Sequence, residues 1–315
     1  MIVVLAGGVG AARFLRGLLA VTDDEITVIG NTGDDIRVHG LPVSPDLDTV
    51  MYTLAGVVND RQGWGRADEA FVVATELAGY DVPTWFTLGD RDIATHLVRR
   101  SWLDAGVPLS VVTRRLSERW RLPVRLLPMT DDPVETRVIA EGVEMHFQEY
   151  WVRDHAVAPV DRVWLEGADT ARPAPGVIDA IRTATTIVLP PSNPVVSIGT
   201  ILAIPGIAEA VRAASAPVVG VSPIVADAPV RGMADRMLAA IGVPCTAAGV
   251  AVHYGARSEG GLLNGWLVDS ADAGCTGSLV AAGIATRARP LLMTDLAATA
   301  AIAKETLAVA DEVRG

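Results

Sequence analysis

The start of the chain places the strongest constraint on its fold. The apolar run IVVL at residues 2–5 meets the glycine-rich turn AGGVGAA, and this turn leads into the helical pattern RFLRGLLAV. An apolar strand, a glycine turn and a helix in this order are typical of the first unit of a parallel sheet. Further apolar runs alternate with helical patterns downstream: ITVIG, TTIVLPP, APVVGVSPIV and RPLLMTD. The sequence therefore predicts an α/β fold, a Rossmann-like doubly wound and mostly parallel sheet with ligands beyond the carboxyl ends of its strands.

One region departs from this alternation. Residues 134–152 alternate at period two around Glu141-Gly142, which predicts a hairpin followed by further extended chain. We therefore expect one domain over residues 1–315 with an inserted smaller α+β subdomain at about residues 110–170. TWFTLGD at 84–90 is predicted as a strand, and DTVMYTLAGVV at 48–58 as a helix with Asp48 at its N-cap.

Charge and composition exclude several classes of function. The 315 residues carry a formal net charge of -11, which argues against a nucleic-acid partner because phosphate backbones are bound by clustered Lys and Arg. No apolar stretch reaches the roughly 20 residues that span a bilayer, and MIVVLAGG lacks the features of a signal peptide. Lys304 is the only lysine, so the chain has no P-loop. We expect a cytoplasmic protein with neither nucleic-acid nor membrane partners.

The glycine turn is a candidate phosphate site. Gly8 and Gly10 match the beginning of the dinucleotide fingerprint, but Arg13 replaces its third glycine. Backbone N–H groups and the helix N-terminus can approach a phosphate at such a turn, and Arg13 can add a fixed positive charge. A tight structural turn is the less favoured explanation of the same residues.

Acidic residues follow the second predicted strand. Asn31, Gly33 and Asp34 come directly after it, where an acidic residue binds the ribose in nicotinamide enzymes. The same residue types also form local turns. Asp46 and Asp48 precede the next helix and can hold Mg²⁺, which prefers oxygen ligands and bridges to substrate phosphates. Helix capping is the structural alternative for Asp48.

The segment TLGDRDIATH brings further charged residues to the end of a predicted strand. Asp90 and Arg91 stand at the expected rim of an active site. Arg91 can clamp a phosphate or pair with the aspartates. His96 lies about one turn into the following helix, where a buried or capping role is a better interpretation than a catalytic base.

Hydroxyl and amide side chains follow two of the later strands. Ser192 and Asn193 open the segment after TTIVLPP, and Ser222 follows the strand in GVSPIV. These groups suit recognition of phosphate or base edges, and helix capping explains them as readily.

Several segments stand in a characteristic order along the chain: NTGDDIRVHGLPVSPDLDTVMYTLAG, GWGRADE, PTWFTLGDRDIATHLVRR, LPMTDDPVETRV, PSNPVVSIGTILAIPGI and APVVGVSPIV. With them the chain resembles the CofD/FbiA family, the transferases of coenzyme F420 biosynthesis. The most specific motifs are SPDLDT and the LGDRD segment with its following Thr-His. The resemblance extends from residue 5 to about 255 and is weak past residue 270.

The resemblance implies a reaction. A guanosine diphosphate-linked donor delivers a phospholactyl or phosphoenolpyruvyl group to the terminal ribityl hydroxyl of the deazaflavin FO and releases GMP, with Mg²⁺ required. This is a transferase acting on a substituted phosphate group, and the resemblance also implies a homodimer. Between the two donors we favour phosphoenolpyruvyl, because the Arg-rich and Ala-rich composition resembles that of actinobacterial members.

The family motifs and the residue patterns described above together assign the site residues to four roles. The catalytic residues are Asp48, Asp90 and Arg91, and the FO-binding residues are Asp48, Arg91 and His96. The metal ligands are Asp46 and Asp48. The nucleotide-binding or phosphate-binding residues are Gly8, Gly10, Arg13, Asn31, Gly33, Asp34, Ser192, Asn193 and Ser222. Two alternatives stay open: an NAD(P)-dependent oxidoreductase, motivated by the glycine turn and Asp34, and a non-catalytic nucleotide-binding sensor.

Overall fold

Strands and helices alternate along most of the chain, which the computed structural model describes over residues 1–314. The strands are β1 (Ile2–Ala6), β2 (Ile26–Gly30), β3 (Ile36–Val38), β4 (Leu41–Val43), β5 (Arg125–Pro128), β6 (Glu135–Ala140), β7 (Val143–His146), β8 (Val160–Glu166), β9 (Thr186–Leu189), β10 (Val218–Val221), β11 (Ile224–Val225), β12 (Ala228–Pro229), β13 (Gly265–Val268) and β14 (Ala285–Ala288). The α-helices are α1 (Gly8–Leu19), α2 (Pro45–Leu54), α3 (Val72–Ala78), α4 (Asp90–Asp104), α5 (Leu109–Trp120), α6 (Val177–Thr183), α7 (Thr200–Ala203), α8 (Ile207–Ala213), α9 (Ala234–Ala240), α10 (Ala247–Tyr254), α11 (Thr276–Ala281) and α12 (Leu296–Arg314).

Seven strands form one parallel sheet, in the order β14-β13-β10-β9-β1-β2-β5. The chain builds outward from β1 in one direction through β2 and β5, and then in the other direction from β9 to β14. The order therefore reverses between β1 and β9, and ligands bind at such a switch point in open α/β sheets. The predicted α/β fold with a doubly wound, mostly parallel sheet is confirmed.

Helices cover both faces of the sheet, and the side chains of β1 point alternately into the two cores that these helices form. Val3 and Leu5 pack into a core with α6, α8 and α10, whereas Ile2 and Val4 pack into a core with α1, α2 and α12. Alternate residues of the strand thus enter opposite cores, and all of its residues are buried. Burial on both faces explains why β1 appears in the sequence as an uninterrupted apolar run.

The longest helix, α12, has 19 residues and packs against α1 on one face of the sheet. Within residues 1–314, no single helix is long and apolar enough to cross a membrane; only the bent pair Pro194–Ala203 and Ile207–Ala213, taken together, meets the criteria of length and composition.

A separate antiparallel sheet of the order β7-β6-β8 lies between β5 and β9 in the chain. The hairpin predicted at 134–152 is present, since β6 pairs with β7 across Glu141-Gly142. The chain after it is a π-helical turn, Glu149–Arg153, rather than the extended segment we expected. Helix α5 packs on β5, and β5 is an edge strand of the main sheet. The part that stands apart from the main sheet therefore begins at β6 rather than near residue 110.

Three other expectations about local structure are wrong. RPLLMTD at 289–295 forms no strand, because the last strand of the sheet, β14, ends at Ala288 directly before it. TWFTLGD at 84–90 forms no strand, because Phe86 and Leu88 pack on the β3-β4 hairpin instead of joining a sheet. Helix α2 begins at Pro45, after Ser44 at the N-cap, so Asp48 lies within its first turns rather than at its cap. Proline is favoured at the first helical position because its missing N–H would have no intrahelical partner there.

Candidate active site

The carboxyl end of the sheet carries a cavity of about 820 Å³. This volume is within the range of roughly 300–1,000 Å³ that is usual for small-molecule sites. Nine of the predicted site residues line it: Gly8, Gly10, Arg13, Asp34, Asp46, Asp48, Ser192, Asn193 and Ser222. The other predicted residues lie outside its lining: Asn31, Gly33, Asp90, Arg91 and His96.

The glycine turn after β1 packs closely against the loop after β9. A Cβ on Gly10 would lie 2.1 Å from the carbonyl oxygen of Pro191, so only glycine permits this close approach of two backbones. Ser192 Oγ donates to the carbonyl oxygen of Gly7 at 2.9 Å. Helix α1 begins at Gly8, whose φ of +67° also favours glycine. The structural and the phosphate-binding interpretations of this turn are therefore compatible, because the same packing presents the N-terminus of α1 to the cavity.

Asn31 lies directly behind the cavity wall and is fully buried. Its Nδ2 donates to Asp46 Oδ2 at 2.9 Å and to the carbonyl oxygen of Val196 at 3.1 Å. Its Oδ1 accepts from the backbone N–H of Gly33 and from Thr200 Oγ1, both at 2.8 Å. All of its polar atoms are thus used inside the protein, and its contact with the cavity runs through Asp46.

Asp34 and Asp46 bring two buried carboxyl groups to the cavity wall. Burial, and next to it the charge of Asp46, holds the pKa of Asp34 well above its usual value. Burial also raises the pKa of Asp46 to about 6, even though hydrogen bonds from Asn31 and from the N–H of Gly8 oppose this shift. Gln148 Nε2 donates to Asp34 Oδ2 at 3.4 Å, while Asp34 Oδ1 has no hydrogen-bond partner in residues 1–314. Two buried carboxyl groups whose ionised forms have no cationic partner, together with a buried oxygen that has no hydrogen-bond partner, are features of a cation site.

Asp48 is held by an arginine from another helix. Arg99 of α4 donates through Nη1 to Asp48 Oδ2 at 3.0 Å and through Nη2 to Asp48 Oδ1. Both side chains are buried, and Asp48 also lines the cavity. A two-point contact between a guanidinium and a carboxylate fixes orientation as well as charge. Asp48 is therefore a rigidly positioned carboxylate on the cavity wall.

His96 connects this ion pair to a second carboxylate. Arg99 Nη1 lies 2.9 Å from His96 Nδ1, and an arginine can only donate, so Nδ1 accepts and the imidazole proton is assigned to Nε2. His96 Nε2 lies 3.3 Å from Asp92 Oδ1, the same oxygen that accepts from Tyr52 at 2.6 Å. Although burial opposes it, the contacts with His96 and Tyr52 lower the pKa of Asp92. His96 itself is fully buried behind Asp92.

Asp90 caps the N-terminus of α3, and Glu69 caps the N-terminus of α4. The carboxylate of Asp90 accepts from the first two N–H groups of α3, at 3.2 and 3.1 Å. Glu69 in turn accepts from the N–H groups of Arg91 and Asp92 in the first turn of α4, at 2.8 and 2.9 Å. The Arg91 side chain is exposed. The roles predicted for Asp90, Arg91 and His96 stay predictions, and the contacts that the structure gives Asp90 and His96 are structural.

The hydroxyl and amide groups after β9 and β10 also have local partners. Asn193 Oδ1 accepts from the N–H groups of Val195 and Val196, at 2.9 and 3.2 Å, and so caps the π-helical segment Pro194–Gly199. Ser222 Oγ donates to the carbonyl oxygen of Ile224 and accepts from its N–H. The side-chain oxygens of both residues thus shape the loops that form the cavity wall.

Comparison with known proteins identifies the family. The family model described as 2-phospho-L-lactate transferase CofD matches residues 2–282. This chain belongs to the CofD family. The predicted resemblance to the CofD/FbiA family is therefore confirmed, and the predicted class of enzyme, a transferase of coenzyme F420 biosynthesis, is supported. The alternatives of an oxidoreductase and of a non-catalytic sensor gain no support from this match.

Curated relatives of this CofD-family protein extend over nearly its whole length. A phosphoenolpyruvate transferase of Streptomyces coelicolor is 62% identical over 319 residues, which cover 99% of each chain. Proteins of the same name from Thermobifida fusca and from a Mycobacterium species (strain JLS) are 56% and 50% identical, with coverage of at least 95% of either chain. Among solved structures, protein BH3568 of Bacillus halodurans has a TM-score of 0.63 at 19% identity and covers 97% of this chain and 98% of its own. That likeness supports the fold alone.

Sequence reasoning missed four residues that line the cavity or support its wall. Arg99 and Tyr52 form the network around Asp48, and Arg66 and Arg231 line the cavity. A signal for Arg99 was present, since Asp92, His96 and Arg99 recur at helical spacing in DRDIATHLVRR and so share one helix face. Arg231 gave no such signal, because it lies in a loop distant in sequence from the other site residues.

Proposed function

We propose that this CofD-family protein transfers a phosphoenolpyruvyl group from a guanosine diphosphate-linked donor to the terminal ribityl hydroxyl of FO, giving dehydro coenzyme F420-0 and GMP. The observation that carries the proposal is that one cavity contains both a glycine turn with arginines and a rigidly positioned carboxylate. Phosphoenolpyruvyl is favoured over phospholactyl because relatives at 50–62% identity carry the name phosphoenolpyruvate transferase.

The donor phosphates would lie at the glycine turn. The side chain of Arg13 and the N–H groups at the start of α1 supply positive potential there; the N–H of Gly8 donates to Asp46, so the N–H groups that follow it would bind the phosphates. Phosphoryl-type transfer depends mainly on positioning and on neutralising charge, so no nucleophilic side chain is required. The arrangement therefore fits a reaction in which the acceptor attacks the donor directly.

The acceptor hydroxyl would lie beside Asp48. Its oxygen forms a bond to the phosphorus that carries the enolpyruvyl group, the bond from this phosphorus to the bridging oxygen of the diphosphate breaks, and GMP leaves with that oxygen. The hydroxyl proton is lost in this step, and Asp48, held in place by Arg99, is suited to accept it or to orient the hydroxyl. Arg66 lies over the rings of Tyr52 and Trp120 at 5.9 and 5.1 Å and closes this part of the cavity wall.

Mg²⁺ is the proposed cofactor, and it would supply positive charge to the phosphates when bound. Within residues 1–314, no group of three or more His, Cys, Asp and Glu side chains is arranged to hold a metal ion. Mg²⁺ commonly uses one or two carboxylates together with substrate phosphates and water, so this finding is compatible with it. Asp46 together with Asp34 fits best, because their negative charges are not balanced by a paired cation and Asp34 Oδ1 is unpartnered. Asp48, the other predicted ligand, already has Arg99 on both oxygens.

Mass spectrometry of the product tests the proposal. Purified protein, FO, the enolpyruvyl donor and Mg²⁺ should give a product heavier than FO by one phosphoenolpyruvyl unit, together with GMP. The lactyl donor, supplied in a parallel reaction, should be used less efficiently. If the protein turns over neither donor, the proposed function is wrong. If Asp48→Asn turns over the donor as fast as the unmodified protein, the role assigned to Asp48 is wrong. A cytoplasmic homodimer without nucleic-acid or membrane partners is the accompanying expectation.

A further inference from the structure

We propose that Arg231 and Arg13 together form an anion clasp that binds a diphosphate group, and that the loop of residues 57–67 holds Arg231 in place. The clasp rests on the proposed function insofar as the diphosphate belongs to a nucleotide donor. Arg231 is the new element, because it lies far from the glycine turn in sequence and belongs to the segment between β12 and α9.

The first observation is a pair of like charges on one cavity. Arg13 of α1 and Arg231 both line it, and neither forms an ion pair with a carboxylate within residues 1–314. The nearby Arg16 of α1 behaves differently, since its Nη1 lies 3.1 Å from Asp60 Oδ1. Two arginines without acidic partners on the wall of one cavity repel each other, and an anion between them removes this cost.

The electrostatics of Arg231 agree with this geometry. Burial, and next to it the charge of Arg13, lowers the pKa of Arg231. A guanidinium stays charged even so, because its usual pKa is above 12. Arg231 is exposed, so solvent screens part of its repulsion from Arg13, and a negative group in the cavity would remove the remainder.

The second observation is that Arg231 is held by the loop of residues 57–67. Its Nη2 donates to the carbonyl oxygen of Gln62, and its guanidinium lies 5.1 Å from the centre of the Trp64 ring. Stacking and backbone contact restrict a side chain that otherwise has many rotamers, so less conformational entropy is lost when it binds a ligand. The contact to Gln62 uses Nη2 alone, and Arg231 has further N–H donors.

The loop itself has a defined structure and rests on the glycine turn. Val58 and Arg66 form a β-bridge, and the N–H of Asn59 donates to the carbonyl oxygen of Gly65 at 3.0 Å. At the tip, Gly63 has a φ of +83°, and a Cβ there would lie 2.7 Å from Val9 Cγ1 and 3.1 Å from Arg231 Nη1. The tip thus packs on the first turn of α1 and beside Arg231, where a larger residue would separate them.

The chemistry of the ligand follows from the two arginines. Two guanidinium groups, each with several N–H donors, match a group with several oxygens and more than one negative charge. The N–H groups at the start of α1 line the same cavity and favour a phosphate there. A diphosphate has both features, whereas an uncharged nucleoside or a deazaflavin ring has neither.

The experiment measures binding by calorimetry with three probes: GDP, inorganic pyrophosphate and guanosine. Arg231→Met should weaken the binding of GDP and of pyrophosphate by roughly tenfold or more, because charge-assisted hydrogen bonds are lost. Arg231→Lys should recover part of this loss. Arg114→Met, which removes an exposed cation of α5 that pairs with Glu118 and does not line the cavity, should bind all three probes like the unmodified protein. Guanosine binding should be the same in all variants, and their melting temperatures should agree within a few degrees.

The outcomes separate the clasp from the proposed function. If Arg231→Met binds GDP and pyrophosphate as tightly as the unmodified protein does, or if neither probe binds the unmodified protein, the clasp is wrong. If guanosine binding falls as much as GDP binding, Arg231 acts on the nucleoside or on the fold, and the clasp is wrong as well. If pyrophosphate binds in an Arg231-dependent manner but GDP binds no better, the clasp stands and the guanosine-linked donor is called into question.

Discussion

Asp48 and Arg99 are 51 residues apart in the chain, yet two nitrogens of Arg99 contact the two carboxylate oxygens of Asp48 in a buried position between α2 and α4. His96 lies against the same guanidinium, and Tyr52 reaches the same network through Asp92. The candidate acceptor site thus depends on tertiary packing between two helices. Removing one partner leaves a buried charge without compensation, so effects on stability and on chemistry have to be measured separately.

Asp48→Ala should lower the free energy of unfolding by about 3–5 kcal/mol, because it leaves Arg99 buried and unpaired. The double variant Asp48→Leu/Arg99→Leu should recover most of this loss, since apolar residues of similar volume often replace a buried ion pair at little cost. Both variants should be inactive. Urea unfolding followed by circular dichroism measures the stability, and product formation from FO measures the activity.

Arg100→Leu is the matched control for this experiment. Arg100 is the next residue of α4, and its pairing with Asp104 at 3.2 Å is exposed. Its loss should change the free energy of unfolding by less than about 1 kcal/mol. An active double variant would show that the carboxylate of Asp48 takes no part in transfer.

Stability should depend on pH through Asp46. Its folded-state pKa is raised to about 6 by burial, above the value of about 4 expected in the unfolded chain. The folded form therefore binds the proton more tightly, so this contribution to stability is fully present below about pH 4 and is lost as the pH rises through about 6. The loss is on the order of 3 kcal/mol, at about 1.4 kcal/mol per pKa unit, and Asp34, whose pKa is raised in the same direction, adds to it.

Urea midpoints measured between pH 4 and pH 8 without Mg²⁺ check this dependence. Asp46→Asn, which cannot ionise, should show a flatter profile than the unmodified protein. Mg²⁺ should stabilise the unmodified protein more at pH 8 than at pH 5, because the ion binds ionised carboxylates. Parallel pH profiles for the two proteins would refute this assignment.

The regular part of the fold was predictable from sequence because both of its determinants are local. A continuous apolar run indicates a strand that is covered on both faces, as in β1. A glycine after a strand indicates that another backbone segment approaches closely there, as Pro191 approaches Gly10. The strand expected at 84–90 failed because Phe86 and Leu88 bury their side chains against β3 and β4, and the apolar pattern does not specify which neighbour is used. The pairing of Arg99 with Asp48 was missed for the same reason, since helical spacing places Arg99 on one face of α4 but does not specify that this face packs on α2.

Gly10→Ala should reduce both stability and activity. The added Cβ would lie 2.1 Å from the carbonyl oxygen of Pro191, which is backbone and cannot move aside as a flexible side chain can. Separating these two loops distorts the turn at the start of α1 and should cost about 1–3 kcal/mol. Gly277→Ala in α11 is the control, because a Cβ there meets nothing within 4 Å. That substitution should be neutral or stabilise the protein by up to about 1 kcal/mol. Equal melting temperatures for the two variants would contradict the packing described for the turn.

Asp90 allows a test between catalysis and capping. Its carboxylate accepts from two N–H groups of α3, so Asp90→Ala should cost about 1 kcal/mol of stability, as the loss of a cap does elsewhere. Asp90→Asn keeps one of the two accepting oxygens and should retain turnover within about twofold, because asparagine caps helices as well as aspartate does. A catalytic carboxylate at this position predicts instead a loss of roughly 10²–10⁴-fold in kcat for the asparagine variant at unchanged stability. Steady-state kinetics and thermal unfolding of both variants therefore decide which role Asp90 has.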